Sequence, residues 1–209
     1  MNRKQLLAIG AAPFLAVSMA VVYRVLARLL GDRRAWYVGF VVYWVGWCLV
    51  FPVKVLGRQQ FRRLFVPRRP GKSGGLIMGL VPGISLLGRF FQEKRPRRPG
   101  ENSRLVMTAF LNGTLEEVLW RGVYTHLFPE QPFWSIIWPT LWFALWHYGP
   151  GSISPMTDAR VLMGGAAVLG LNLAWLTRQA GSIVPAAITH TLAGLAQIMN
   201  TSRKAPADF

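Results

Sequence analysis

From Gln5 to Tyr23 the chain carries no Asp, Glu, Lys, Arg or His, and Arg3, Lys4 and Arg24 flank the stretch. A run of that length is what a helix needs to cross a hydrocarbon core of roughly 30 Å. A second charge-free run extends from Ala35 to Val53, with Trp36 near one edge as an interfacial anchor. Runs without Asp, Glu, Lys or Arg follow at 131–157, 161–177 and 179–202, and Leu105–Pro129 is apolar apart from Glu116, Glu117, Arg121 and His126. A secretory leader is the competing reading of the first run, with Arg3-Lys4 as its basic end and Ser18-Met19-Ala20 as a loose cleavage site. The apolar stretch is long for a leader, which favours a span.

Composition agrees with spans joined by charged loops. Lys and Arg number 24 against 8 Asp and Glu, a net charge of +16, yet 52% of the residues are hydrophobic. A disordered basic tail does not carry so much apolar content. The basic clusters also lack the aromatic or glycine patterning of a nucleic-acid reader, so no nucleic-acid partner is expected. The single cysteine, Cys48, excludes an intramolecular disulfide framework and a multi-cysteine metal site. The expected fold is all-α: a polytopic bundle forming a single transmembrane domain over 1–209, in the cell membrane. Residues 1–104 supply amino-terminal helices and basic loops, and 105–200 supply the core helices.

The stretch Ser73–Gly88 is short for a crossing and holds Pro82 and five glycines, of which Gly75, Gly79 and Gly83 recur every fourth residue. That spacing suits close helix packing, whereas the length suits a re-entrant or surface-lying segment. If the stretch crosses, the basic residues divide 10 against 13; if it does not, they divide 18 against 5. The positive-inside rule favours the uneven division. The expectation is therefore six crossings, both termini cytoplasmic, with a seventh segment as the alternative. Arg58, Arg62, Arg63, Arg68, Arg69, Lys72, Lys94, Arg95, Arg97 and Arg98 then face the anionic headgroups of membrane lipids. Each contributes roughly 1 kcal/mol near such a surface.

The chemistry starts from charges placed where the apolar pattern forbids them. In Leu115-Glu116-Glu117-Val118-Leu119-Trp120-Arg121-Gly122, three ionisable residues lie inside a span. Each costs at least ~2.5–3.5 kcal/mol at membrane depth. Glu117 and Arg121 are four apart with the acid first, the favoured order for a same-face ion pair. Glu116 points about 100° away. A buried ion pair that fastens helices accounts for Glu117 and Arg121 and leaves Glu116 without a role. His147 and His190 lie on two further spans. A carboxylate and an imidazole can hold and deprotonate a water, and a second imidazole can donate to a developing oxyanion.

Glu-Glu-x-x-x-Arg at 116–121, Phe-x-x-x-His at 143–147 and the approach Gly-Ser-Ile-Val-Pro-Ala-Ala-Ile-Thr-His at 181–190 resemble the CAAX protease and bacteriocin-processing (CPBP, Abi) family. These are intramembrane glutamic endopeptidases related to the Rce1-type prenyl-protein proteases. The resemblance covers roughly residues 105–195. It implies hydrolysis of a peptide bond in a membrane-associated, in some members prenylated, protein or peptide, without a cofactor. It implies Glu116 as the catalytic glutamate, His147 as its partner on the water and His190 at the oxyanion, with Glu117 and Arg121 in support. The family places a polar residue four after the last histidine, where this chain has Gly194. Gln197 and Asn112 are the candidate substitutes. An oxyanion hole short of one donor loses ~10²–10³ in rate.

The rivals are a zinc-dependent membrane protease, a non-catalytic scaffold or immunity protein of the same family, and a small transporter or proton relay. The depths of Glu116, His147 and His190 agree best if the helix before His147 stops within the membrane. In that case Gly149-Pro150-Gly151 lines a water-filled cavity open to the cytoplasm. The Trp134, Trp138, Trp142, Trp146 series reads mainly as a packing or lipid-facing stripe, Cys48 as filler, and His126 as interfacial. The sequons at Asn112 and Asn200 are discounted, one within a span and the other expected to face the cytoplasm.

Overall fold

The computed structural model describes residues 1–87, 101–154 and 158–200, the side chains of 101–102 and 197–200 excepted. Every regular element among them is helical. Helix α1 (Arg3–Leu30) opens on a capping box in which Asn2 and Gln5 satisfy each other's backbone N–H groups. It runs through Pro13 and ends at Gly31, whose φ of 75° suits a residue without a Cβ. The chain reverses there into α2 (Asp32–Val42), which continues through a π-helical segment (Tyr43–Val50) into α3 (Phe51–Leu56). After the short basic α4 (Arg58–Arg63) come α5 (Lys72–Leu87) and α6 (Glu101–Glu117). A second π-helical segment (Val118–Val123) and α7 (Tyr124–Leu127) extend α6. A third (Phe133–Ile137) leads into α8 (Trp138–Trp146), followed by α9 (Tyr148–Ser152), α10 (Ala159–Ala180) and α11 (Val184–Asn200).

Among the described residues, three helical stretches are long and apolar enough to cross a membrane: Arg3–Leu30, Asp32–Leu56 and Ala159–Ala180. The distribution of side chains on α1 suits lipid on one side. Its buried face alternates small Ala8, Ala12 and Ala16 with Leu15, Met19 and Tyr23, whereas Leu7, Phe14, Val17, Val21 and Leu29 are exposed. Small residues let helices approach where lipid removes the ordinary hydrophobic drive between them. The same logic sets the tightest crossing in the core. A Cβ at Gly113 on α6 would stand 2.6 Å from the Thr191 backbone nitrogen on α11.

One expectation about Ser73–Gly88, the packing face of its glycines, needs correction. The described part forms α5, continuous through a buried Pro82, and it packs along α11 and α10. Ile77 and Met78 meet Leu173, Leu176 and Ala186 there. The glycine stripe does not make that contact. Gly75, Gly79 and Gly83 face open space, and the buried glycine is Gly74, beside Pro70 and Leu176. Sequence spacing shows that a glycine face exists but not which way the helix is turned.

The six-crossing layout also fails to fit the contacts at one end of the bundle. It sets Gln5 and Leu64 opposite Leu127 and Ile183. Gln5 Nε2 donates to the Leu127 carbonyl at 2.8 Å, and the Leu64 carbonyl accepts from the Ile183 N–H at 3.2 Å. Arg178 joins the same end by donating to the Pro129 carbonyl at 2.7 Å. At ~1.5 Å per residue α5 is about 24 Å long, enough to carry the chain most of the way across. Single cysteines at Arg63 and Glu130, in a Cys48→Ala background, are expected to label from the same membrane face. Labelling from opposite faces would restore six crossings.

Candidate functional site

Glu116 and Glu117 close α6 and the second π-helical segment carries Arg121, so one continuous helix presents all three. All are sealed in the bundle, with Glu116 1%, Glu117 0% and Arg121 1% exposed. The pair expected from spacing forms: Arg121 Nη1 donates to Glu117 Oε1 at 2.9 Å. Glu117 does more than neutralise the arginine. The same oxygen lies 2.8 Å from His190 Nδ1 on α11. A carboxylate oxygen accepts, so Nδ1 carries the proton and Nε2 is turned the other way. His190 Nε2 lies 3.7 Å from Glu116 Oε2. That oxygen has no hydrogen-bond partner among the described residues, whereas Oε1 accepts from the Trp146 indole at 3.3 Å.

His147 is half-buried at the junction between α8 and α9 and caps both helices. Its Nδ1 lies 2.6 Å from the Phe143 carbonyl. A carbonyl cannot donate, so Nδ1 holds the proton, and in the neutral form of the ring the lone pair is on Nε2. Phe143, wholly buried, gathers the cluster around its ring. The Arg121 guanidinium stands 4.3 Å from the centroid, and His147 and His190 meet it edge-on at 4.6 and 6.1 Å.

Several expectations change here. Gly149, Pro150 and Gly151 are buried rather than lining water. Gly149 lies against Ala20 and Tyr23 of α1, and Gly151 against Ala159 of α10. Residues without bulky side chains let α9 seat between those helices. Asn112 is not simply a free amide. Its Oδ1 accepts from the Trp44 indole at 2.7 Å, which turns the Nδ2 donors away from Trp44. The side chain of Gln197 lies outside the described residues. At Gly194, an added Cβ would come 3.3 Å from Ala109, so this position is where α11 rests closely on α6. Among the described residues, no group of three or more His, Cys, Asp or Glu is arranged to hold a metal.

Sequence reasoning missed Trp44 and left Trp146 in a stripe, though Trp134, Trp138 and Trp142 do form an edge-to-face ladder at 5.3 and 5.6 Å. The available signal was chemical. An indole N–H within a membrane needs an acceptor, and polar acceptors in these spans are few.

Residues 100–196 match the family described as type II CAAX prenyl endopeptidase Rce1-like. Over that segment, the chain is similar to the Rce1-like family. No curated protein and no solved structure matches the chain. The Rce1-like segment spans α6 to α11 and so includes both glutamates, both histidines and Arg121. Together with the three long apolar helices, this family marks a membrane protein whose relatives act on peptide or protein substrates.

Two substitutions test the cluster as a structural unit. Arg121→Ala is expected to destabilise the protein by ~3–5 kcal/mol, because it strands a buried carboxylate. Adding Glu117→Ala should recover part of that loss, read as thermal midpoints in a double-mutant cycle. Gly113→Ala must move the α11 backbone, and is expected to cost about 1–3 kcal/mol in the same assay.

Proposed function

We propose that this Rce1-like chain is a membrane-embedded endopeptidase in which Glu116 activates water. The observation that carries the reading is the division of labour between adjacent carboxylates. Each carboxylate keeps its Oε2 without a hydrogen-bond partner among the described residues. Glu117 Oε1, however, accepts from the Arg121 guanidinium and His190 Nδ1, whereas Glu116 Oε1 accepts from the neutral Trp146 indole and its Oε2 lies 3.7 Å from His190 Nε2. Two equivalent acids given opposite surroundings are given different work.

The proposed reaction follows from those atoms. Glu116 Oε2 takes a proton from a water that also donates to the free Nε2 of His147. The water oxygen attacks the carbonyl carbon of the scissile peptide bond. His190, protonated on both nitrogens while Glu117 holds Nδ1, donates from Nε2 to the oxyanion. Glu116 then returns its proton to the departing nitrogen, the C–N bond breaks, and a carboxylate and an amine leave. No covalent intermediate forms. The Nδ2 of Asn112, oriented by Trp44, is the proposed second oxyanion donor in place of the polar residue absent at Gly194. A prenylated or otherwise membrane-tethered segment is the proposed substrate, since the site lies within the bundle. The proposed topology takes α5 as a crossing, with the amino end and the far end of α11 on opposite faces. The basic loops meet anionic lipid.

Zinc ligation through Glu117 is disfavoured, because its Oε1 already accepts from two side chains. The scaffold alternative rests on Gly194. Cleavage of a membrane-tethered peptide by the purified, reconstituted protein separates them. Glu116→Gln is expected to lower kcat ~10²–10⁴-fold, with chelator without effect. Chelator-sensitive cleavage would favour zinc, and an inert wild type would favour the scaffold.

A further inference from the structure

Trp146 departs from the tryptophan series it ends. Trp134, Trp138 and Trp142 are partly buried, whereas Trp146 is 0% exposed and donates its indole proton to Glu116 Oε1 at 3.3 Å. One face of its ring stacks on Tyr43 at 3.8 Å, with 21° between the planes. The Tyr43 oxygen accepts from the Trp120 indole at 2.7 Å. Trp120 sits four residues after Glu116, on the next turn of the same helical rod. The contacts therefore close on themselves: from Glu116 to Trp146, across the stack to Tyr43, and through Trp120 back to the helix they left. Tyr43 and Trp120 are as deeply buried as Trp146, at 0% and 1%.

A ring of this kind has a chemical consequence for the carboxyl group it holds. An indole can only donate, so the contact commits Oε1 to accepting. The oxygen left to work is Oε2, the one facing His190 Nε2 at 3.7 Å. We propose that Trp146 is a positioning residue for Glu116, selecting which carboxylate oxygen meets the water, and that Tyr43 and Trp120 lock Trp146 in place. The inference rests on Glu116 as the general base. It also brings residues before position 100 into the machinery, since Tyr43 lies outside the matched segment.

Trp146→Phe keeps the stack on Tyr43 and removes the donor. The expected result is a kcat about tenfold lower, the loss that follows when one hydrogen bond to a charged group disappears, with KM little changed. Removing a donor from the ionised form favours the protonated one, so the acid limb of the kcat/KM profile moves to higher pH. A packing role alone would lower the thermal midpoint and leave that limb in place, and a stably folded Trp146→Phe with an unmoved limb overturns the proposal. A second measurement does not need activity. In protein with ¹⁵N-labelled indoles, the Trp146 signal, identified by its loss in Trp146→Phe, should shift in Glu116→Ala and stay put in Leu171→Ala. An unmoved signal in Glu116→Ala overturns the clamp. A shifted signal in a protein that cleaves nothing supports the clamp and removes the protease reading.

Discussion

The Glu117 carboxylate is the point on which the site hangs. It lies among apolar helices with no exposure and binds a guanidinium from its own helix and an imidazole from the last one. Either contact alone leaves an expensive group. Arg121 without Glu117 is an uncompensated buried cation, and His190 without Glu117 has no fixed tautomer. Because one oxygen serves both, the geometry of α6 against α11 and the orientation of His190 become the same variable. The close crossing at Gly113 and Thr191 holds that variable, and the Ala109–Gly194 contact one turn away holds it again.

The interior that surrounds this cluster is aromatic rather than aliphatic. Tyr23, Tyr43, Trp120, Phe143 and Trp146 are all essentially buried, and they come from both halves of the chain. Aromatic rings suit a site of this kind because they supply apolar bulk together with a few fixed donors. Phe143 presents its face to Arg121 and stands nearly perpendicular to both histidine rings, so a single ring spaces three polar groups. The family-matched half alone lacks Tyr43, Trp44 and Tyr23. The amino-terminal helices therefore form part of the wall around the site.

What could be read from sequence was whatever a single helix determines. The Glu117–Arg121 pair depends only on four-residue spacing, and the first two spans depend only on unbroken apolar length. The residues that needed a second helix were harder. The orientation of α5 is set by Leu173 and Leu176 on α10 and Ala186 on α11, so the Gly75–Gly79–Gly83 stripe pointed the wrong way. The charge count that favoured six crossings weighs loops against each other and is blind to contacts such as Gln5 with Leu127. Trp146 looked like its neighbours because every fourth residue shares a face. The change came at the end of α8, where the last turn reaches the bundle centre.

The placement of the cluster on α6 and α11 also bears on the order in which the protein can be made. Glu117 and Arg121 lie on one rod and neutralise each other as soon as that rod is helical, so they can enter the bilayer together. His190 belongs to the last helix and reaches Glu117 only when everything before it has been synthesised and packed. A ribosome-bound chain that has not yet reached α11 thus holds a charge-balanced but incomplete constellation. Completion of the site waits on the synthesis and packing of α11.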